Sequence, residues 1–288
     1  MDVGANLRLV VGLALLLAAA VACLTWARVP RRRDVLTASA RAVAQLALIG
    51  LALRGVFAAP AAAAAVLAVM LAAAVGTASR RLVGFPAIVR RVGVSCLLGA
   101  TVALGLVFAA GAVEATVRNL VALAGSVVGG TMTACTLTGR RLADGLRRRR
   151  DEVEAWLALG ATPRRAVADI ARESVAEALV PPLDQTRTVG LVSLPGTFVG
   201  ALLGGASPAA AARFQVIILV AMLTAQSIAA VSLSYLLGAP TQLPPTAPEP
   251  TPRRSTGRPS RLGGLGRRGT RLSRRFRRPD APRRGRLP

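Results

Sequence analysis

The chain has 288 residues, 53% of them hydrophobic and only 3% aromatic, and its mean hydropathy is +0.53. Its formal charge of +24 is carried by 37 arginines, since the sequence contains no lysine and no histidine. Those two absences exclude a Walker A loop, a Schiff-base lysine, a Ser-His-Asp triad and an HExxH zinc site.

What remains is an all-α polytopic membrane protein. Apolar runs of ~20 residues, enough to cross a bilayer, follow one another at 9–27, 35–53, 55–78, 92–113, 119–138, 188–206 and 212–238. Seven spans are expected. The first is too long for a plain signal peptide, and Arg28 with Arg31–Arg33 after it makes a stop-transfer pattern. The connection at 53–55 is so tight that the second and third spans form either a full pair or a re-entrant hairpin.

Arginine placement sets the direction by the positive-inside rule. The first loop holds Arg28 and Arg31–Arg33, the second Arg54, and the third Arg80, Arg81, Arg90 and Arg91. The fourth holds Glu114 and Arg118, the fifth (about 139–187) ten arginines, the sixth Arg213 at most, and the tail fourteen. Rich and poor loops alternate, which puts the N-terminus outside and the C-terminus in the cytoplasm. The expected organisation is a transmembrane domain over 1–238 and a tail over 239–288. That tail is rich in Arg and Pro and poor in aliphatic runs, so it is expected to be disordered. It is read as solvated, with contacts to anionic lipid as the alternative. One aromatic, Phe276, offers little for base stacking, and no specific nucleic acid is expected.

Within the second span, Arg41 and Gln45 are four apart and share one face. They line a translocation route, or else they satisfy neighbouring helix carbonyls while Arg41 reaches for the inner surface. In the fifth span, Gly125-Ser126-x-x-Gly129 has the small-xxx-small spacing of close helix packing. The alternative is a pore wall holding Gly129, Met132 and Thr133, with Met132 and Cys135 three apart as soft sulfur donors. The three cysteines, Cys23, Cys96 and Cys135, lie in separate apolar runs and fit neither a disulfide framework nor zinc spacing. They are expected to be buried structural thiols. In the sixth span, Ser193, Pro195 and Gly196 make either a broken helix suited to a gate or a plain kink.

The fifth loop is too polar to span and too patterned to be a coil. Apolar residues recur at helical spacing from Arg140 to Leu159, and Gly160 should stop that helix. Thr162 as N-cap and Pro163 as first helical residue begin a second helix running to Leu179, with Pro181-Pro182 as its end. The product is a helix-turn-helix elbow with Arg164 and Arg165 at the bend.

Glu154-Ala155-Trp156-Leu157-Ala158-Leu159-Gly160, followed by Ile170, resembles the EAA loop of ABC-transporter permeases, departing from it at Trp156 and in lacking the closing Leu-Pro. Ala40-Arg41-Ala42-Val43-Ala44-Gln45-Leu46, the run Arg148 to Arg165, and Thr188-Val189-Gly190-Leu191-Val192-Ser193-Leu194-Pro195-Gly196 are together similar to the FetB-type permease family, over about 35–238. That family commonly has Gly-Asn where this chain has Gly129-Gly130.

The resemblance implies the membrane subunit of a bacterial metal exporter, iron by family, seated in the plasma membrane. It implies a homodimer paired with a separate ATPase, and coupling through Glu154, Ala155, Gly160, Ala161, Thr162, Pro163, Arg164 and Arg165. ATP and Mg would be used by the ATPase, with no cofactor bound by this chain. No metal ligand set follows from the residues. A membrane scaffold or sensor with basic lipid- or partner-binding segments is the alternative. A proton-coupled carrier lacks the membrane carboxylates or His it would need.

Overall fold

All but one of the long apolar stretches form single helices. The computed structural model describes residues 3–56, 60–82 and 84–239. Nearly all of the tail therefore lies outside the described residues. The helices are α1 (Val3–Trp26), α2 (Arg32–Val56), α3 (Pro60–Arg81), α4 (Ile88–Ala109), α5 (Val117–Arg148), α6 (Arg150–Ala158), α7 (Pro163–Thr188), α8 (Gly196–Leu203) and α9 (Pro208–Leu237). No strand forms among the described residues. Six of the helices there, α1 to α5 and α9, are long and apolar enough to cross a membrane.

The ends of these helices follow local chemistry. After α1 the chain reverses at Arg28, which takes a positive φ of 54°, and the Val29 N–H reaches back to the Leu24 carbonyl at 2.9 Å. Asp34 stands in the first turn of α2, the end of a helix that favours an acid, and pairs with Arg31 at 3.2 Å. The expected 53–55 connection is instead helix, since α2 continues to Val56. The Thr116 hydroxyl caps α5 by accepting the Asn119 N–H at 3.2 Å, and the Ser207 hydroxyl caps α9 by accepting that of Ala210 at 3.2 Å.

Two expected boundaries move. The fifth span was expected to end near residue 138, yet α5 runs unbroken for 32 residues, about 48 Å at 1.5 Å per residue. That exceeds a hydrocarbon core of about 30 Å, so the helix carries the first part of the expected elbow on its own end. α7 likewise continues past Pro181 and Pro182 to Thr188. The prolines remove two amide donors, but Ala178 is buried just before them and Glu177 is tied to Arg141 at 3.1 Å. Packing on α5 thus outweighs the local preference to stop.

The expected sixth span, 188–206, is not a single spanning helix. Gly190 at φ +87° makes a tight loop whose N–H bonds the Ser193 carbonyl at 2.9 Å. Pro195 is extended at φ −62°, ψ 144° and opens α8. Gly205 at φ +90° follows the end of α8. α8 has 8 residues, about 12 Å, far short of a bilayer. Glycine and proline at both ends interrupt what hydropathy alone reads as continuous.

The core is built from α3, α4, α5, α7 and α9, with one residue of α6. One cluster joins Leu82, Val92, Cys96, Cys135, Leu142, Leu146, Val153, Val167, Ile170 and Leu233; a second joins Ala74, Ala100, Val127, Ala221 and Ala225 further along the same helices. α5 and α9 run parallel: Gln226 lies against Gly130, and the Ala229 carbonyl is 3.9 Å from the Cys135 sulfur. A parallel pair needs a connection that travels back along the bundle. α7 and α8 supply it, because Arg164 meets Tyr235, the Ser234 hydroxyl donates to the Ala171 carbonyl at 3.3 Å, and Thr197 of α8 bonds Gln215 near the start of α9. The chain thus leaves the elbow along α7, antiparallel to α9, and turns back beyond α8.

Candidate functional site

The elbow is α6, the turn at Gly160 and the first half of α7. α5 ends at Arg148, and Arg149, with φ −108° and ψ 33°, breaks the helical path before α6. Val153, 1% exposed, drives α6 into the core beside Leu146 and Val167. Gly145 allows α7 to close on α5, since a Cβ there would sit 2.5 Å from Ile170 Cγ2. α6 stops at Gly160, φ +84°, where the Ala161 N–H bonds the Trp156 carbonyl at 3.0 Å in the manner of a left-handed helix cap. Thr162 is the N-cap of α7 by backbone, extended at ψ 151°, while its hydroxyl makes no capping bond. Pro163 follows at the first turn, where a missing N–H costs nothing.

Ion pairs brace this bend. Arg149 Nε donates to Glu152 Oε2 at 2.7 Å and Nη2 to Oε1 at 2.8 Å, while Nη1 reaches Glu173 on α7 at 3.2 Å. The hydrogen bond from Arg149 holds the Glu152 carboxyl below its ordinary range, and that to Glu152 holds Arg149 above its own. Glu154 accepts from Arg150 Nε at 2.7 Å, four residues back. Exposed pairs of that kind contribute about 0.3–0.5 kcal/mol, so Glu154 is a weak structural element.

The coupling residues named from the sequence all fall on this bend. Glu154, Ala155, Gly160, Thr162, Pro163, Arg164 and Arg165 are exposed and Ala161 is half-buried. Arg164 turns back, its guanidinium 3.9 Å from the centroid of the Tyr235 ring on α9, a cation–π contact linking the bend to the last long helix. The sequence reading placed Trp156, Leu157 and Leu159 on an apolar helix face. The structure leaves them 41%, 39% and 81% exposed, so they form an apolar tip on α6 and its C-terminal turn, with Val153 alone of that helix buried.

The translocation candidates are not brought together. Arg41 is exposed on α2, and Gln45 lines a groove between α2 and α3 with Ile49, Val66, Val69 and Met70. Gly129 and Thr133 lie on an exposed face of α5, where the Thr133 hydroxyl donates to the Gly129 carbonyl at 3.1 Å. Met132 is half-buried against both core clusters. Ser193, Pro195 and Gly196 belong to the loop before α8 and its first residue. Of the small residues in α5, Gly125 packs so closely against Met70 that an added Cβ would lie 3.2 Å from its Cε, while Gly129 has nothing within 4 Å. The packing reading holds for the former alone.

Sequence reasoning missed a polar seam between α4, α5 and α9. Gly99 would place a Cβ 2.5 Å from the Ala225 carbonyl, and Gly130 one 2.8 Å from Gln226 Nε2. Gln226 Oε1 and Ser95 Oγ are buried there without a partner among the described residues. Gln226 itself, a lone amide inside Ala221–Ala230, was the available signal. Cys96 and Cys135, on different helices, meet in this region with their sulfurs 3.7 Å apart.

Six helices long and apolar enough to cross a bilayer, among the described residues, define a polytopic helical membrane protein. The model of the uncharacterised protein family UPF0014 matches residues 7–240, and the chain belongs to that family. It is 36% identical over 205 residues to the UPF0014 membrane protein STAR2 of Oryza sativa, covering 70% of this chain and 72% of that one. It is 34% identical over 227 residues to the UPF0014 membrane protein slr1647 of Synechocystis, covering 76% and 87%. It is 29% identical over 206 residues to the probable iron export permease protein FetB of Escherichia coli, covering 71% and 80%. No solved structure matches the chain.

Proposed function

We propose that this chain is the membrane-spanning permease subunit of an ABC transporter, exporting a metal ion under the drive of a separate ATPase. The observation that carries the reading is the apolar tip Trp156-Leu157-Leu159, presented on a bend that Val153, Ile170 and Arg149 fix to α5 and α7. Exposed aromatic and aliphatic side chains on a braced support are what a partner cleft requires. The match to FetB supports transport, and iron as cargo rests on that likeness alone.

In this reading the elbow faces the cytoplasm of a bacterium and the chain sits in the plasma membrane as a homodimer. The partner ATPase binds ATP and Mg and closes around the elbow, and α5, α7 and α9 move with it. Among the described residues no group of three or more His, Cys, Asp or Glu could hold a metal, so no cage for a hard ion is assigned to this chain. The test is co-purification with an ABC ATPase of the same organism and the ATPase activity of the pair. Wild type is expected to stimulate turnover. Trp156→Ala combined with Leu159→Asp is expected to weaken the complex by about 30-fold or more, the effect of losing an anchor worth about 2 kcal/mol. Full stimulation and iron export by that variant would overturn the docking role.

A further inference from the structure

The mechanism above makes no use of the two thiols sealed inside the bundle. Cys96 of α4 and Cys135 of α5 are both 0% exposed, and their sulfurs stand 3.7 Å apart. The Ala229 carbonyl of α9 lies 3.9 Å from the Cys135 sulfur, and Thr131 neighbours Cys96. Met132, one turn before Cys135, packs against the same cluster. The surrounding helices also carry buried polar atoms. Ser95 Oγ, adjacent in sequence to Cys96, and Gln226 Oε1, one turn before Ala229, are buried without partners among the described residues. An unpaired polar atom in an apolar interior costs on the order of 1–3 kcal/mol.

We propose that Cys96 and Cys135 form a binding site for a soft monovalent cation of the Cu(I) or Ag(I) type. Thiolate and thioether donors select such ions, whereas hard ions need oxygen. With metal–thiolate bonds of about 2.3 Å, two sulfurs span about 3.8 Å along a tetrahedral edge and about 4.6 Å in a linear bridge. The present spacing suits the bent arrangement and reaches the linear one by an opening of under about 1 Å. Charge also favours a monovalent ion. One thiol binds as thiolate and releases its proton, the other binds as the neutral thiol, and the bound unit carries no net charge. A neutral unit avoids the heavy cost of an isolated charge in this interior. The Ala229 carbonyl, 3.9 Å from the Cys135 sulfur, is a further donor at this point, and Met132 packs against the same cluster. The site is independent of the transport reading, because binding is measured on the permease alone.

The test uses the full chain purified in detergent under reductant, then freed of it without oxygen. Cu(I) is offered as its bis-bicinchoninate complex and withdrawal of the ion is followed by bleaching of the complex. The expected result is one ion per chain in wild type and in Cys23→Ser, whose thiol is exposed. Cys96→Ser and Cys135→Ser are each expected to weaken binding at least 100-fold. Cys96→Ala and Cys135→Ala, which leave no new hydroxyl in the core, must show the same loss with wild-type thermal stability. Binding that survives in any of these four variants would overturn the proposal, as would the absence of binding in wild type or recovery of the pair as a disulfide. None of those results bears on ATPase coupling.

Discussion

Gly145 is where the elbow is attached to the long α5 rod, and its replacement by alanine gives a quantitative check. The Cβ would lie 2.5 Å from Ile170 Cγ2, a branch methyl next to the backbone with little room to move. Such overpacking costs about 1–3 kcal/mol. Glycine to alanine inside a helix otherwise gains roughly 0.5–1 kcal/mol. Gly105→Ala in α4, where a Cβ meets nothing within 4 Å, should show that gain alone. The two variants therefore differ by about 1–3 kcal/mol. At about 2–4 °C per kcal/mol for a chain of this size, melting temperatures in detergent at one scan rate should separate by about 2–12 °C, with Gly145→Ala the lower. Ile170→Leu moves the branch away from Cβ, so the double variant Gly145→Ala/Ile170→Leu should recover part of the loss, read as a coupling term in a double-mutant cycle. ATPase stimulation should fall in Gly145→Ala and return in the double variant. A Gly145→Ala protein as stable as Gly105→Ala would refute the close α5–α7 contact and the attachment argument with it.

Other expectations follow from the same structure. Gly160→Ala puts a side chain at φ +84° in open space, so its cost of about 1–2 kcal/mol is backbone strain; the fold should survive while partner ATPase stimulation drops. For Glu152, whose carboxyl is held below its ordinary range by Arg149, the stabilisation is complete above the unfolded value of about 4.3 and disappears as pH falls through the lower folded value. The melting-temperature difference between wild type and Glu152→Gln should thus be flat from about pH 5 to 8 and close only in more acid solution. Single cysteines placed at Gly111 and Arg165 should label from opposite sides of the membrane, Arg165 from the cytoplasm; labelling of Arg165 from outside would reverse the orientation drawn from the arginine loops, and labelling of both from one side would refute the crossing by α5.

Hydropathy made much of the helical layout legible from the residues alone. Runs of Leu, Ala and Val with charged flanks state their own length, which is why α1, α3, α4 and α9 fall close to their expected positions. What failed was continuity. The run 188–206 is apolar enough to span, but Gly190, Pro195 and Gly205 decide its backbone, and hydropathy does not weigh φ. Pro181-Pro182 misled in the opposite sense, because packing of Ala178 and the Arg141–Glu177 pair sustain a helix that local propensity would end. At the elbow, the stop at Gly160 and the start at Pro163 were readable as caps. The exposure of Trp156, Leu157 and Leu159 was not, since periodicity counts apolar residues without saying which of them find a partner within the chain. The meeting of Cys96 with Cys135, 39 residues apart, and of Gly130 with Gln226 depends on helix register across the bundle, which one sequence does not encode in any local pattern.

The unbroken length of α5 has a mechanical meaning. Gly130, pinned beneath Gln226, divides it into arms of about 20 Å toward Val117 and about 27 Å toward Arg148. An unbroken helix held at such a point has the shape of a lever. Were it to pivot there, a sideways push of a few ångströms at the Arg148 end would reappear at the Val117 end in the opposite sense, at roughly three quarters of its size.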